Sequence, residues 1–159
     1  MDPLFEKLNI VSTMVDAERE LASLGEAAIG RLETLFNGSS RNQWGVPYRN
    51  LGLPLQCALE VAVRLGPAAK PLESYIAAEL PSSETAARAL GVLSSLAPSS
   101  VDALARALEA DFTVASEAAR ALVRQGAHRS ALVNKIEQRS AAAHKHLETA
   151  RRQYAGTGV

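Results

Sequence analysis

Apolar residues recur at every third or fourth position over most of the chain, and the best-formed run is Leu53–Leu80. From Leu55 to Leu65 they fall at Leu55, Ala58, Leu59, Ala62 and Val63, the period of an amphipathic helix. Pro54 suits a first helical position, because it has no N–H to leave unpaired. Gly66 ends that helix by taking left-handed backbone, and Pro67 starts a second one. The second helix carries Leu72, Ile76 and Leu80 at fourfold spacing, with Ala69 and Ala77 beside them. Helices of about three turns are marginal alone, so this pair requires packing neighbours.

The same reading extends in both directions. Residues 3–9 form a short turn or lead-in. A first long helix spans Ile10–Leu24, with Ile10, Met14, Ala17, Leu21 and Leu24 inward and Val11 and Val15 widening the stripe. Gly25 ends it, and Glu26–Asn37 follows with Ala28, Ile29, Leu32, Leu35 and Phe36 inward. After the central pair, Ser82 or Ser83 caps a helix running to about Leu96. Ser99-x-x-Asp102 has the form of a capping box and opens the next. Asp111 or Thr113 opens another, which Gly126 ends. The last helix begins near Ala127 and continues as a longer, more polar cap whose stripe is Leu132, Val133, Ile136, Ala143 and Leu147. Residues 1–154 are expected to form one domain, and 155–159 a disordered tail.

One segment lacks helical period. Residues 38–53, GSSRNQWGVPYRNLGL, hold the only Trp, Trp44, together with Arg41, Gln43, Tyr48 and Arg49. A loop of this length in a compact domain is usually functional, and its aromatic content argues against disorder. Two readings stand: Trp44 and Tyr48 cover the open end of a helix layer, or the insert is a binding loop with an aromatic anchor and Arg support.

The turns fall at Leu24-Gly25, Leu65-Gly66, Leu96-Ala97 and Gln125-Gly126, spaced 41, 31 and 29 residues apart. The first interval is long because it contains the insert. The word Ala-Ala-Arg-Ala-Leu occurs at 86–90 and again at 118–122. Leu-Gly-x-Ala-Ala occurs at Leu24–Ala28 and Leu65–Ala69, followed each time by a Leu/Ile ladder. On these residues, over about 10–140, the chain resembles the short form of the HEAT-repeat superfamily. It departs from the pattern at Gln125-Gly126-Ala127-His128-Arg129. The resemblance implies an all-α fold: a right-handed α-solenoid of about four helix pairs with a longer C-terminal capping helix. It also implies a binding scaffold whose second helices line a concave face.

Composition narrows the function. The chain is 47% hydrophobic but only 4% aromatic, which favours close helix–helix contact through Ala and Leu. No run reaches the length of a membrane span, and the start MDPLFEKLNI has no positive region of a secretory signal. A single cysteine, Cys57, allows no internal disulfide. A cytoplasmic protein is expected. His144 and His146 are two apart and face different sides of a helix, so no metal is expected. No phosphate loop or carboxylate dyad is present, and no enzymatic activity, cofactor or small-molecule substrate is expected.

Charge is zero overall but uneven. Residues 1–119 carry nine Lys/Arg against fifteen Asp/Glu, a net of −6; residues 120–159 carry eight against two, a net of +6. A basic C-terminal region opens a nucleic-acid alternative, although the neutral chain argues against it. The favoured reading is a non-enzymatic protein–protein interaction module, with a regulatory or assembly adaptor as a neighbouring possibility. The contact residues would be Arg31, Thr34, Glu73, Tyr75 and Glu79 on the second helices, plus Arg41, Gln43, Trp44, Tyr48 and Arg49 of the insert. By analogy at the level of fold alone, such modules include bacterial immunity proteins that occlude a toxin. An acidic first part would suit a basic toxin.

Overall fold

The computed structural model describes residues 1–155. Among them the regular structure is helical, apart from a single antiparallel bridge between Arg41 and Pro47. The α-helices are α1 (Pro3–Leu8), α2 (Met14–Ser23), α3 (Ala27–Phe36), α4 (Gly52–Leu65), α5 (Glu73–Ala78), α6 (Glu84–Gly91), α7 (Pro98–Ala107), α8 (Phe112–Arg124), α9 (Ala131–Arg139) and α10 (Ala141–Tyr154). Short 3-10 segments occupy Tyr48–Asn50 and Gly66–Leu72. The chain divides into two compact units, 1–75 and 76 onward. The boundary between Tyr75 and Ile76 falls within α5.

In the first unit, α2 packs on α4, and α3 packs on the 3-10 segment 66–72. The lead-in expected at 3–9 is a helix, α1. Asp2 caps it by accepting the Leu4 amide at 2.9 Å, and Leu4, Phe5 and Leu8 are buried. The long helix expected from Ile10 starts only at Met14, because residues 9–13 turn the chain between α1 and α2. Ile10 and Val11 are therefore exposed rather than inward, as are Val15 and Leu24. Ala17 and Leu21 hold the α2 core face, with Glu18 buried beside them and 3.5 Å from Arg64 of α4.

The central pair is less regular than its periodicity implies. Gly66 does end α4 with positive φ, at 57°. The second arm, however, is a 3-10 run before it becomes α5. Pro71 is the cause: it lacks an N–H, and its ring crowds the carbonyl four residues back. Leu72 and Ile76 still reach the core, which is why the apolar period survives.

In the second unit, α6 packs on α8, α8 on α10, and α7 on both α8 and α9. Ser83 caps α6 through the Ala86 amide at 3.1 Å. The helix stops at Gly91, five residues before the expected end, and residues 92–97 are an irregular link. The α6–α8 contact is made of small residues. A Cβ on Gly91 would lie 3.1 Å from the Ala121 Cα, so the two backbones meet where any side chain is an obstruction. Gln125 then seals the frayed end of α6: its amide Nε2 donates to the carbonyls of Leu90, Gly91 and Leu93 at 2.9, 3.3 and 2.8 Å. The residue that breaks the repeat pattern is thus a cap for another helix.

The expected capping box at Ser99 does not form. Pro98 already holds the first helical position of α7, so Ser99 lies inside the helix. Asp111 does cap α8, accepting from Val114 N at 3.1 Å. The expected long capping helix is two helices. Ser140 takes extended backbone (φ −126°, ψ 110°) and caps α10 through Ala143 N at 3.1 Å. Ser130 caps α9 in the same way. The expectation for 155–159 concerns, beyond Ala155, residues outside those described.

Candidate functional site

The insert is a built structure. Ser40 N donates to Thr34 O at 2.9 Å, which fastens the start of the insert to α3, and Tyr48 N donates to Ser40 O at 3.2 Å, which closes the far end on the start. Between them the chain reverses at 42–46. Asn42 Oδ1 accepts from both Trp44 N and Val46 N at 3.0 Å, while Asn42 N donates to Val46 O at 3.0 Å. An Asn side chain that mimics a backbone turn in this way is a strong local determinant. Gly45 supplies the left-handed residue, with φ 77°. Arg41 closes the loop by donating to Gly45 O at 2.8 Å.

Two aromatic residues four apart have opposite fates. Tyr48 is fully buried, with its ring edge-on to Phe5 at a centroid distance of 5.4 Å. Its hydroxyl donates to Glu6 Oε1 at 2.6 Å. Burial, then the Glu6 carboxylate, push the phenol pKa far up, so it stays a neutral donor. Trp44, on the tip, is 75% exposed. Sequence reasoning grouped the two; the 3-10 turn that starts at Tyr48 separates them, pointing one ring to the core.

The other expected contact residues divide similarly. Arg49 donates to the Phe36 carbonyl and closes the insert against α3. Arg31 makes a two-point ion pair with Asp2, tying α3 to the start of α1. Thr34 donates to Arg31 O at 2.7 Å. Glu73 is buried and paired with Lys70. Tyr75 stacks on Phe36 at 6.2 Å and lies 3.4 Å from Glu33. Glu79 is half-buried in the second unit. What stands out from the first unit is therefore a short group at the loop tip: Arg41, Gln43, Trp44 and Val46, the last 37% exposed. Sequence reasoning missed Val46 and the organising Asn42. An Asn two residues before Trp44 and a Gly after it are the signal that could have found the turn.

The uneven charge changes character in the fold. The cut between −6 and +6 falls inside α8. Counted by compact unit, residues 1–75 carry seven Lys/Arg against nine Asp/Glu, and 76–159 ten against eight, giving −2 and +2. Several basic residues of the C-terminal region are paired: Arg120 with Glu117, Arg139 with Glu109, Arg151 with Glu137 and Arg152 with Glu148. The Arg151 guanidinium, followed by His144, holds the Glu137 carboxyl below its ordinary range. His128 lies beside this pair, and burial, then Arg151 and Arg129, lower its pKa.

A cleft of about 530 Å³ is lined by Gly91, Val92, Leu93, Ser94, Arg124, Gln125 and Tyr154. It is where α6, α8 and α10 end. Carbonyl ends of helices attract cations, and Arg124 stands in the last turn of α8. Cys57 is buried and its thiol is pushed up to about 12 by burial and by Glu18, which leaves it an unreactive core residue. Among the described residues no group of three His, Cys, Asp or Glu side chains could hold a metal ion, and no helix is long and apolar enough to cross a membrane. Comparison with family models, with curated proteins and with solved structures returned no match.

Proposed function

We propose that the protein is a non-enzymatic binding module that engages a protein partner through the tip of the insert, with Trp44 as the anchor. The observation that carries this is the contrast within the loop: a network of hydrogen bonds holds the backbone of 40–48, and the one aromatic ring it leaves in water is the Trp44 indole. An apolar ring of that size in solvent contributes nothing to folding, whereas Trp and Arg dominate the energetics of interfaces. A pre-ordered loop also loses less entropy on binding. Arg41 and Gln43 supply polar rim contacts beside it.

The scaffold reading rests on packing within each unit. In the first, the leading helices α2 and α4 pack on each other, and the trailing segments α3 and 66–72 do likewise. In the second, α6, α8 and α10 follow one another, and α7 packs on α9. First-on-first and second-on-second packing is what a stack of helix pairs requires, and it supports a HEAT-like solenoid as the architecture. The toxin-neutralising role within this class loses its charge argument, since the first unit is only slightly acidic. Phosphate binding by the C-terminal helices loses the arginines already held by carboxylates.

The test uses the protein and its Trp44→Ala variant as parallel baits in extracts of the source cell, followed by affinity measurement on the protein captured. Trp44→Ala is expected to weaken binding by about 2 kcal/mol, roughly 30-fold, with helical circular dichroism unchanged. Because Trp44 is the only tryptophan, its fluorescence reports on the same loop. Free protein should emit as a solvent-exposed indole, and the partner should shift that emission to the blue. Equal affinity of the two baits would overturn the assignment.

A further inference from the structure

We propose that the groove between α8 and α10 binds a small aromatic carboxylate, its ring against Phe112 and its anion on Lys145. The groove has a volume of about 330 Å³ and is lined by Phe112, Ser116, Ala142, Lys145, His146 and Thr149. The α8 residues are one turn apart, and the α10 residues follow the i, i+3, i+4, i+7 spacing of a single helix face. Space of this size, mainly apolar with a few polar groups, is what small organic ligands occupy.

Phe112 is the first observation. It is the first residue of α8, and the core face of that helix starts two residues later at Val114. The ring is 75% exposed, yet it has a defined place, edge-on to His146 with centroids 5.0 Å apart and planes at 65°. A ligand ring laid on Phe112 would withdraw apolar surface from water, with the offset or edge geometries that aromatic pairs favour.

Charge is the second. Among the described residues Lys145 makes no ion pair and Ser116 makes no side-chain hydrogen bond. The acidic groups of the neighbouring elements are engaged elsewhere: Asp111 with the Val114 amide and the Thr113 hydroxyl, Glu117 with Arg120, Glu109 with Arg139, Glu148 with Arg152. Thr149 donates to Lys145 O at 2.9 Å. His146 adds a ring rather than a second charge near neutral pH, since burial, then Lys145, lower its pKa. The groove thus offers an aromatic wall, one unmatched cation and one free hydroxyl, which fits an apolar ring carrying a single anion. This site is separate from the Trp44 loop and does not depend on it.

The experiment is an amide-resolved NMR titration of the full chain with 2-naphthoate and with neutral 2-naphthamide. Naphthoate should shift the amides of Ser116, Ala142, Lys145, His146 and Thr149 saturably, in the millimolar range or below. Lys145→Gln should weaken naphthoate about fivefold, the order of an exposed charge pair, and leave naphthamide unchanged. Phe112→Ala should weaken both. Both side chains are exposed, so neither change touches the core, and thermal melts of the variants check that. The proposal is overturned by an absence of saturable shifts, by naphthamide binding as tightly as naphthoate, or by shifts indifferent to Phe112→Ala.

Discussion

The two units hold themselves together by different means. In the first, irregular segments are fastened by specific polar bonds around two aromatic rings: Arg31 to Asp2, Tyr48 to Glu6, Arg49 to Phe36 O, with Phe5 and Tyr48 in contact. In the second, the main contact is small residue on small residue, with Gly91 against Ala121 and Ala86, Ala87, Ala115, Ala118 and Ala119 all buried. The physical reason is that a regular helix satisfies its own backbone, so shape alone decides how two of them pack. A loop leaves backbone groups open and must find a partner for each. The first unit can therefore present a rigid irregular loop, and the second cannot lose its close contact without losing its packing.

The sharpest way to break this contrast is Phe5→Ala. The ring is fully buried against Tyr48, so the first unit should lose about 3–5 kcal/mol, read as an earlier denaturation midpoint with exposure of α1 amides to hydrogen exchange. Next is Gly91→Val, which places atoms within reach of the Ala121 backbone. Overpacking of this kind costs about 1–3 kcal/mol, and exchange should rise in α6 and α8 while the insert stays protected. An unchanged midpoint would show that the α6–α8 contact yields, and the contrast would fail. Tyr48→Phe keeps the ring and removes the hydroxyl, leaving Glu6 without its donor. A loss of about 1 kcal/mol is expected, together with easier iodide quenching of Trp44.

The smallest effect is one of pH and concerns the second unit. Folding lowers the pKa of His128, so its neutral form is favoured in the fold. That contribution is full above the unfolded value near 6.5 and is lost as pH falls through the lower folded value. Glu137 has the same sign at more acidic pH, since its folded carboxyl is also lowered. Acidification from neutral should therefore lower the melting temperature, and His128→Asn should remove part of the loss just below pH 6.5. A variant with an identical pH profile would show that His128 contributes nothing to it.

Helix-forming periodicity was legible wherever the local signals agreed with one another. Gly66 and Gly126 ended their helices with positive φ, Ser83 and Asp111 capped theirs, and Ala17, Leu21, Leu32, Leu59, Leu104 and Leu122 reached the core as their spacing implied. Failures came where two local rules competed. Pro71 overrode an apolar ladder, Pro98 pre-empted the Ser99 box, and Ser140 interrupted a stripe that reads continuously through it. At the insert, composition singled out the segment, but not which of its two aromatic side chains faces water.

By itself, then, the chain's spacing of apolar residues determined that it is helical, where most helices run and which faces they bury, because these follow from backbone geometry repeated every 3.6 residues. The tertiary structure alone decided three matters. It paired Tyr48 with Glu6, 42 residues away, and so left Trp44 as the exposed ring. It brought Gly91 against Ala121 and Gln125 onto the end of α6. It matched Arg120, Arg139, Arg151 and Arg152 with carboxylates and, among the described residues, left Lys145 without an ion pair on the groove that Phe112 lines. Each is a meeting of distant side chains, and a local period carries no record of what lies across the gap between two helices.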